Sequence, residues 1–450
     1  MFKRTLALFC AAMLMNGCAA VPVSPIGYEL AAAVYPQMAA YPNEEEYIGE
    51  DGIFDSAGFS AVYDAWQTDK MARTNQPEGY ADGLETFYSR TIAAFLTGAE
   101  DDNRVYSPLN VFMALGMLAE VTDGESRAQI LDLIGTEDME TLREKAKAIW
   151  NVNYCSDGAV TSVLASSLWL AENLTYKPET VNRLAETYYA SSYRGKMGSE
   201  EYNKVLQNWL NEQTGGLLKE QAEGVTLDPE TVLALATTVY YQAKWTSEFD
   251  PAQTEEGEFH KTAGETEICD FMHRSASNTY YWEDKFAAVS LGLNGSGEMW
   301  FLLPDEGVSV DELLTDSTAM EFLFDKEHER NSKYLIVNMA VPKFDVSSDL
   351  NLRGGLNSLG ITDVFSQAAA DFSPVMENAE DVFLSDVKHA ARVKIDEEGC
   401  TAAAYTVMRM AGAAMPPKEE VDFVLDRPFL FVLTGADGMP LFVGVVNDPA

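Results

Sequence analysis

Between Lys394 and Phe423 the chain reads KIDEEGCTAAAYTVMRMAGAAMPPKEEVDF. A strand-like alternation leads into the acidic pair Glu397-Glu398 and Gly399. A run of small side chains follows, then the Pro416-Pro417 brake, then the apolar, β-prone FVLDRPFLFVL. A long segment of small residues therefore hangs between two expected strands. Loops of that length within a domain are uncommon and are usually functional or disordered. If the segment enters a sheet as an extra strand, its side chains alternate between faces. One face then carries Cys400, Ala402, Ala404, Thr406, Met408 and Met410, none of them charged. The other carries Thr401, Ala403, Tyr405, Val407 and Arg409. That is a strand with one face to bury and one for solvent. Without insertion, the same residues read as an Ala-rich surface loop or a short helix.

Length and composition bound the rest. The chain has 450 residues, 47% of them hydrophobic, enough for a large core in one domain or in two or three. With 71 acidic against 31 basic residues, the net charge is −40. Such a surface repels phosphate backbones, so nucleic acids and heparin-like polyanions are not expected as partners. Lys3, Arg4 and the apolar run Leu6 to Leu14, too short to span a bilayer, read as a secretory signal. Of five cysteines, Cys10 and Cys18 belong to that signal. Cys155, Cys269 and Cys400 are odd in number and far apart, and read as small buried thiols without metal spacing.

Motifs along the chain carry a resemblance. Glu397-Glu398-Gly399, with Ala402-Ala403-Ala404-Tyr405-Thr406, is similar to the hinge of a serpin reactive-centre loop. Arg427-Pro428-Phe429 and Phe442-Val443-Gly444 resemble the serpin C-terminal core. Ser107-Pro108 through Val111 resembles the strand-to-helix element of the family's shutter. Asn208-Trp209-Leu210 with Thr214-Gly215-Gly216 resembles a family helix end, with Leu217 where a Lys is usual. Leu233 to Trp245, Trp300 to Gly307, Val341 to Phe344 and Asp371-Phe372-Ser373 match in order. The likeness covers about residues 81–450. Within it, Leu84, Phe87, Tyr88, Thr91, Ile92 and Phe95 fall at helical steps.

The resemblance implies an α+β serpin fold. Its parts are a large central mixed sheet, two further sheets, surrounding helices and an exposed reactive-centre loop. It implies a monomer that inhibits serine proteases and is not an enzyme, with no cofactor or metal. The sequence agrees in lacking a P-loop, a G-x-S-x-G elbow or an H-E-x-x-H helix. The hinge would be Glu397, Glu398, Gly399, Cys400, Thr401, Ala402, Ala403 and Ala404. Family spacing from Gly399 places the reactive bond at Ala413–Ala414, just before the proline pair. Small residues there suit elastase-like or subtilisin-like proteases, with a cysteine protease as a further class of target. Ser107, Thr237 and His389 would form the shutter, Thr237 standing where the family has an Asn. The other reading is a non-inhibitory serpin acting as a binding module. Cys400 and Tyr405, which depart from the usual hinge residues, leave room for it.

Met15-Asn16-Gly17-Cys18 resembles a bacterial lipobox, with Cys18 the residue to be acylated. The expected divisions are therefore a lipoprotein-type signal at 1–18, an acidic, Pro-containing spacer with a possible extra helix at 19–80, and a serpin domain at 81–450. The expected location is the cell surface or exterior, held by the lipid. Cleavage after Ala20 and free secretion is the alternative.

Overall fold

Strongly apolar segments set the layers. The computed structural model describes residues 27–99, 102–324, 331–377, 379, 382–384, 387–400 and 417–450. The signal, Cys18, and the loop residues Thr401, Ala402, Ala403, Ala404, Ala413 and Ala414 lie outside them. The described helices are α1 (Ser56–Thr74), α2 (Leu84–Leu96), α3 (Pro108–Val121), α4 (Gly124–Ile134), α5 (Met139–Asn153), α6 (Pro178–Thr187), α7 (Glu200–Gln213) and α8 (Lys219–Glu223), followed by α9 (Val310–Leu314), α10 (Ser317–Phe324) and α11 (Arg353–Ser358). The first described strands are β1 (Glu29–Ala31), β2 (Arg104–Tyr106), β3 (Cys155–Ser156), β4 (Thr161–Ala171), β5 (Ala190–Gly195) and β6 (Leu233–Lys244). Next come β7 (Thr254–His260), β8 (Thr266–Trp282), β9 (Phe286–Gly292), β10 (Glu298–Pro304), β11 (Ser332–Pro342) and β12 (Phe344–Asn351). The last are β13 (Lys388–Ile395), β14 (Gly399–Cys400), β15 (Glu420–Val424), β16 (Phe429–Thr434) and β17 (Pro440–Val446).

The six residues read at helical steps from Leu84 to Phe95 are all buried on α2. Helix α3 is almost wholly buried. The Ser107 Oγ caps it by accepting from Asn110 N, and Pro108 fills its first turn, where a missing N–H costs nothing. A helix apolar all round belongs inside, and α3 lies beneath the central sheet.

That sheet runs β1-β5-β4-β6-β14-β13-β12, with β3 beside β4. It is mixed, because β4 and β5 are parallel while the other pairs are antiparallel. The remaining strands run β15-β11-β8-β9-β10-β16-β17-β2, with β7 beside β8. Two groups make up this second path. They join where Tyr281 and Trp282, at the end of β8, pair with Ala288 and Ala287. Every residue of β16 and β17 is buried, as continuous apolar runs require.

The stretch expected as a spacer with a possible extra helix carries that helix, α1, and is docked on the domain from Tyr28 onward. Strand β1 pairs with β5 at the edge of the central sheet, and Tyr28 stacks on Tyr202 of α7 with ring centroids 5.4 Å apart. Tyr35 lies 5.5 Å from Trp150, and Tyr41 donates its backbone N–H to Asp157 O. Helix α1 buries Trp66, whose Nε1 donates to Asp157 Oδ2 at 3.2 Å. Lys70 Nζ reaches Gly295 O at 3.2 Å. The acidic run Glu44–Glu46 suggested a solvated linker, but aromatic side chains spaced along the stretch supply the area that docks it. Among the described residues no helix is long and apolar enough to cross a membrane. Trp66→Ala is expected to undock α1 and speed tryptic cutting at Lys70 or Arg73 by about tenfold or more. Timed digestion with mass spectrometry checks this, and an unchanged rate would show that α1 is held elsewhere.

Candidate functional site

The site is built where the central sheet is incomplete. Strands β6 and β13 both run antiparallel to β14, so they are parallel to each other with β14 between. Only Gly399 and Cys400 occupy that position: Gly399 opposite Lys244, Cys400 opposite Ala243 and Ile395. Beyond Cys400 no ladder joins β6 to β13 among the described residues. The two strands flank a seam whose upper end is wedged by two residues.

The wedge is held from several directions. Asp396 N donates to Gly399 O at 3.0 Å, and Asp396 Oδ1 accepts from the backbone N–H of Glu398 and Gly399, which closes a tight turn after β13. Trp245 N donates to Glu398 O and Phe249 N to Glu397 O, both at 3.0 Å. The Trp245 indole N–H donates to Asp396 O at 2.8 Å. Glu397 pairs with Lys343 at 2.9 Å and accepts from Thr254 Oγ1 at 2.8 Å. Burial works against the charge on Glu397, but these two partners outweigh it and hold its carboxyl below the usual range. Lys343 in turn is held above its ordinary value, chiefly by the Glu397 bond. The buried Lys244 reaches Glu248 at 3.1 Å and Glu398 at 3.8 Å.

Gly399 is required here by space. A Cβ on it would lie 2.4 Å from Ala243 O and 2.7 Å from Lys244 Cα, both backbone atoms that cannot swing away. Cys400 follows with only 1% of its surface exposed, on the face shared with the core. This is the face that the alternation assigned to burial.

Midway along the seam lies His389, 1% exposed on β13. Its Nε2 accepts from the backbone N–H of Ser107 at 3.0 Å, so the neutral ring carries its proton on Nδ1, which has no partner. The Tyr106 ring meets it edge-on at 5.4 Å. Burial pushes the imidazole pKa down from 6.5 to about 4. Ser107 thus contacts His389 through its backbone, its hydroxyl being used to cap α3. Thr237, on β6, is buried at the same level, but among the described residues no hydrogen bond joins it to His389. The nearby Asn110 Nδ2 is also buried without a partner, a feature that sequence reasoning did not single out.

A helix bridges the seam on its outer side. Helix α7 packs on β4 through Trp169, Tyr202, Leu206 and Trp209. The connector from α7 to α8 reaches β13, where Arg392 Nη1 donates to Leu217 O at 2.7 Å. The same guanidinium grips Asp345 of β12 by two bonds of 2.7 Å. A cation therefore meets this connector from Arg392, although position 217 itself holds a Leu.

The far end of the loop is anchored elsewhere. Strand β15 lies parallel to β11, with Glu420 opposite Ile336 and Val424 opposite Ala340. Arg427 then donates twice to Pro304 O, at 2.9 and 3.2 Å. The described chain thus ends at Cys400 on the central sheet and is next paired at Glu420 on the edge of the second.

A wedged seam on one sheet and a return strand on the edge of the other define a class, and the comparisons agree with it. The family model described as "Serpin (serine protease inhibitor)" matches residues 84–449, and the chain belongs to this family. Its members are generally protease inhibitors, not enzymes. Among curated relatives, Serpin-ZX of Arabidopsis thaliana is 27% identical, over 78% of this chain and 94% of the relative. Alpha-1-antitrypsin 1-4 of Mus musculus is also 27% identical, over 86% of this chain and 93% of its own. Among solved structures, the thermophilic serpin tengpin in its native state superposes with a TM-score of 0.73 at 24% identity, covering 83% of this chain and 95% of that one. Human thyroxine-binding globulin complexed with its ligand superposes at 0.71 with 20% identity, covering 82% and 100%. These likenesses bear out the serpin fold.

Two expectations follow. Gly399→Val forces the wedge strand out of the seam and is expected to cost roughly 1–3 kcal/mol in the uncut protein, as overpacking does. Urea melts read this, and an unchanged midpoint would mean the wedge is not held as described. For His389 the folded pKa lies below the unfolded one, so its stabilisation is whole above about pH 6.5. It is lost as pH falls from there towards 4, at up to about 1.4 kcal/mol per pH unit. His389→Gln should flatten that part of the stability–pH curve relative to the parent. Equal slopes for the two proteins would contradict it.

Proposed function

We propose that this chain is an irreversible, mechanism-based inhibitor of serine endopeptidases, consumed by a single cleavage at Ala413–Ala414. The observation that carries the reading is the seam. Two buried strands present unpaired edges to each other, and the wedge at Gly399-Cys400 already sets the register in which the loop would follow. The protease serine attacks the carbonyl carbon of Ala413, the amine of Ala414 leaves with a proton, and an ester links Ala413 to the enzyme. The freed segment then enters the seam as a strand. Continued in the wedge's register, Met410 comes opposite Leu233, the first residue of β6. Each backbone hydrogen bond gained contributes roughly 0.5–1.5 kcal/mol, so about ten residues supply several kcal/mol besides apolar burial. The acylated protease is carried along and deformed before water completes hydrolysis.

Ala413 flanked by Gly412 and Ala414 suits a shallow specificity pocket, which favours elastase-like or subtilisin-like targets. A cut at Arg409–Met410 would shorten the carried strand by four residues, roughly 13 Å at about 3.3 Å each. A trypsin-like enzyme is then expected to treat the chain as substrate. Acylated at Cys18, the inhibitor would work at the outer surface of a membrane. The second reading, a non-inhibitory binding module, draws on the likeness to thyroxine-binding globulin and on the bulky Tyr405.

Incubation with elastase-like, trypsin-like and subtilisin-like proteases separates the two. A complex surviving SDS, with a C-terminal peptide starting at Ala414, is expected for the first or third enzyme. Simple cleavage by all three would favour the binding module. Ala404→Glu puts a charge on the face to be buried and should turn inhibition into turnover. Unchanged inhibition would refute the face assignment. Cys18→Ser should move the protein from the membrane fraction to the medium, and equal release of both versions would favour free secretion.

A further inference from the structure

The seam is not uniform on its outer side. Beneath α7 and α8, at its lower end, lies a cavity of about 170 Å³. Leu206 and Leu210 of α7 form its roof, Trp169 of β4 a side wall, and Ala234, Ala236 and Ala390 its floor. The floor is low where Ala234, Ala236 and Ala390 present methyl groups, with Lys388 at its edge, whereas higher on the same face of β6 stand Tyr240 and Gln242.

The register fixes what would meet this cavity. With Cys400 opposite Ala243 and Ile395, continued pairing brings Ala402, Ala404 and Thr406 onto the core face. On the outer face, Ala403 comes opposite Tyr240 and Arg392, where both walls are bulky. Tyr405 comes opposite Thr238 and Ala390, and Val407 opposite Ala236 and Lys388. The small loop residue thus meets the crowded part of the seam, Tyr405 and Val407 each come beside one alanine of the cavity floor, Ala390 and Ala236, and Arg409 follows opposite Ala234.

We propose that this cavity is the receptor for Tyr405 and Val407 of the same chain once the loop has entered the seam. The inference rests on the insertion reading above and deepens it. Sequence alternation alone gave Tyr405 to solvent, but α7 and α8 cover that face, so its ring would be buried against Trp169 and Leu206. A buried phenol needs a polar partner, and Asp228 and Thr231 stand on the cavity rim. The bulky residue that seemed to weaken the hinge becomes an anchor of the inserted state, because the void is already present in the uncut protein.

The test is the rise in Tm when the loop is nicked near Ala413 by a metalloprotease, which forms no acyl-enzyme. It is measured on the full chain and on three variants, each melted intact and cut. Ala236→Leu fills the cavity from its floor and leaves the intact protein as stable or more so. Tyr405→Ala with Val407→Ala removes the occupants. Each change alone is expected to cut the rise roughly in half, and all three together to recover most of it, because the leucine replaces the lost side chains. A parent that gains Tm while the losses simply add would overturn the receptor and leave insertion standing. A parent that gains nothing on cutting would overturn insertion, and the receptor with it.

Discussion

Everything in this molecule turns on the contact of two residues with two strands. Gly399 and Cys400 make three pairings with β6 and β13, and among the described residues no other ladder joins those two strands. Backbone groups along those edges gain little until a strand fills the seam, and a partner is tethered at its upper end by the turn at Asp396–Gly399. A structure of this kind is a kinetic arrangement. On the inhibitory reading proposed above, its barrier would lie in parting β6 from β13 under α7, and its driving force in pairing that has not yet been made. The glycine, the Glu397–Lys343 pair and the Trp245 bonds all act at the one point from which pairing would propagate.

The helix across the seam adds a second constraint. Helix α7 belongs by its packing to the β4–β6 side, and the connector that follows it belongs by Arg392 to the β13 side. Strands in a sheet sit about 4.8 Å apart, so admitting one more cannot leave a 2.7 Å bond across the opening unchanged. Either the connector travels with β13 or the Leu217 carbonyl loses its donor.

Much of this was legible in the sequence because it is local. The helix from Leu84 follows from six apolar positions, and the buried face at Cys400 from alternation. The two ends of the loop follow from the acidic turn and the proline pair. What stayed hidden depends on contacts across hundreds of positions. Nothing near Glu397 announces Lys343, Thr254 or Phe249, and nothing near Leu217 announces Arg392. In the stretch from Tyr28 to Tyr80 the extra helix was legible, but its docking was hidden for the same reason. Its acids are visible one by one, but the surfaces that accept Tyr35 and Trp66 exist only once α5 and β4 are folded.

Strand β16 lies between β10 and β17, and β17 between β16 and β2. Both belong to the piece of chain that follows the proposed reactive bond. A molecule cut at Ala413 therefore does not shed its C-terminal part. That part is an interior layer of the second sheet, and Arg427 ties it to Pro304 as well. The cut product is a two-chain particle held without any covalent link, and it comes apart only on unfolding. A nick at that bond would leave an intact outline and not a loose end.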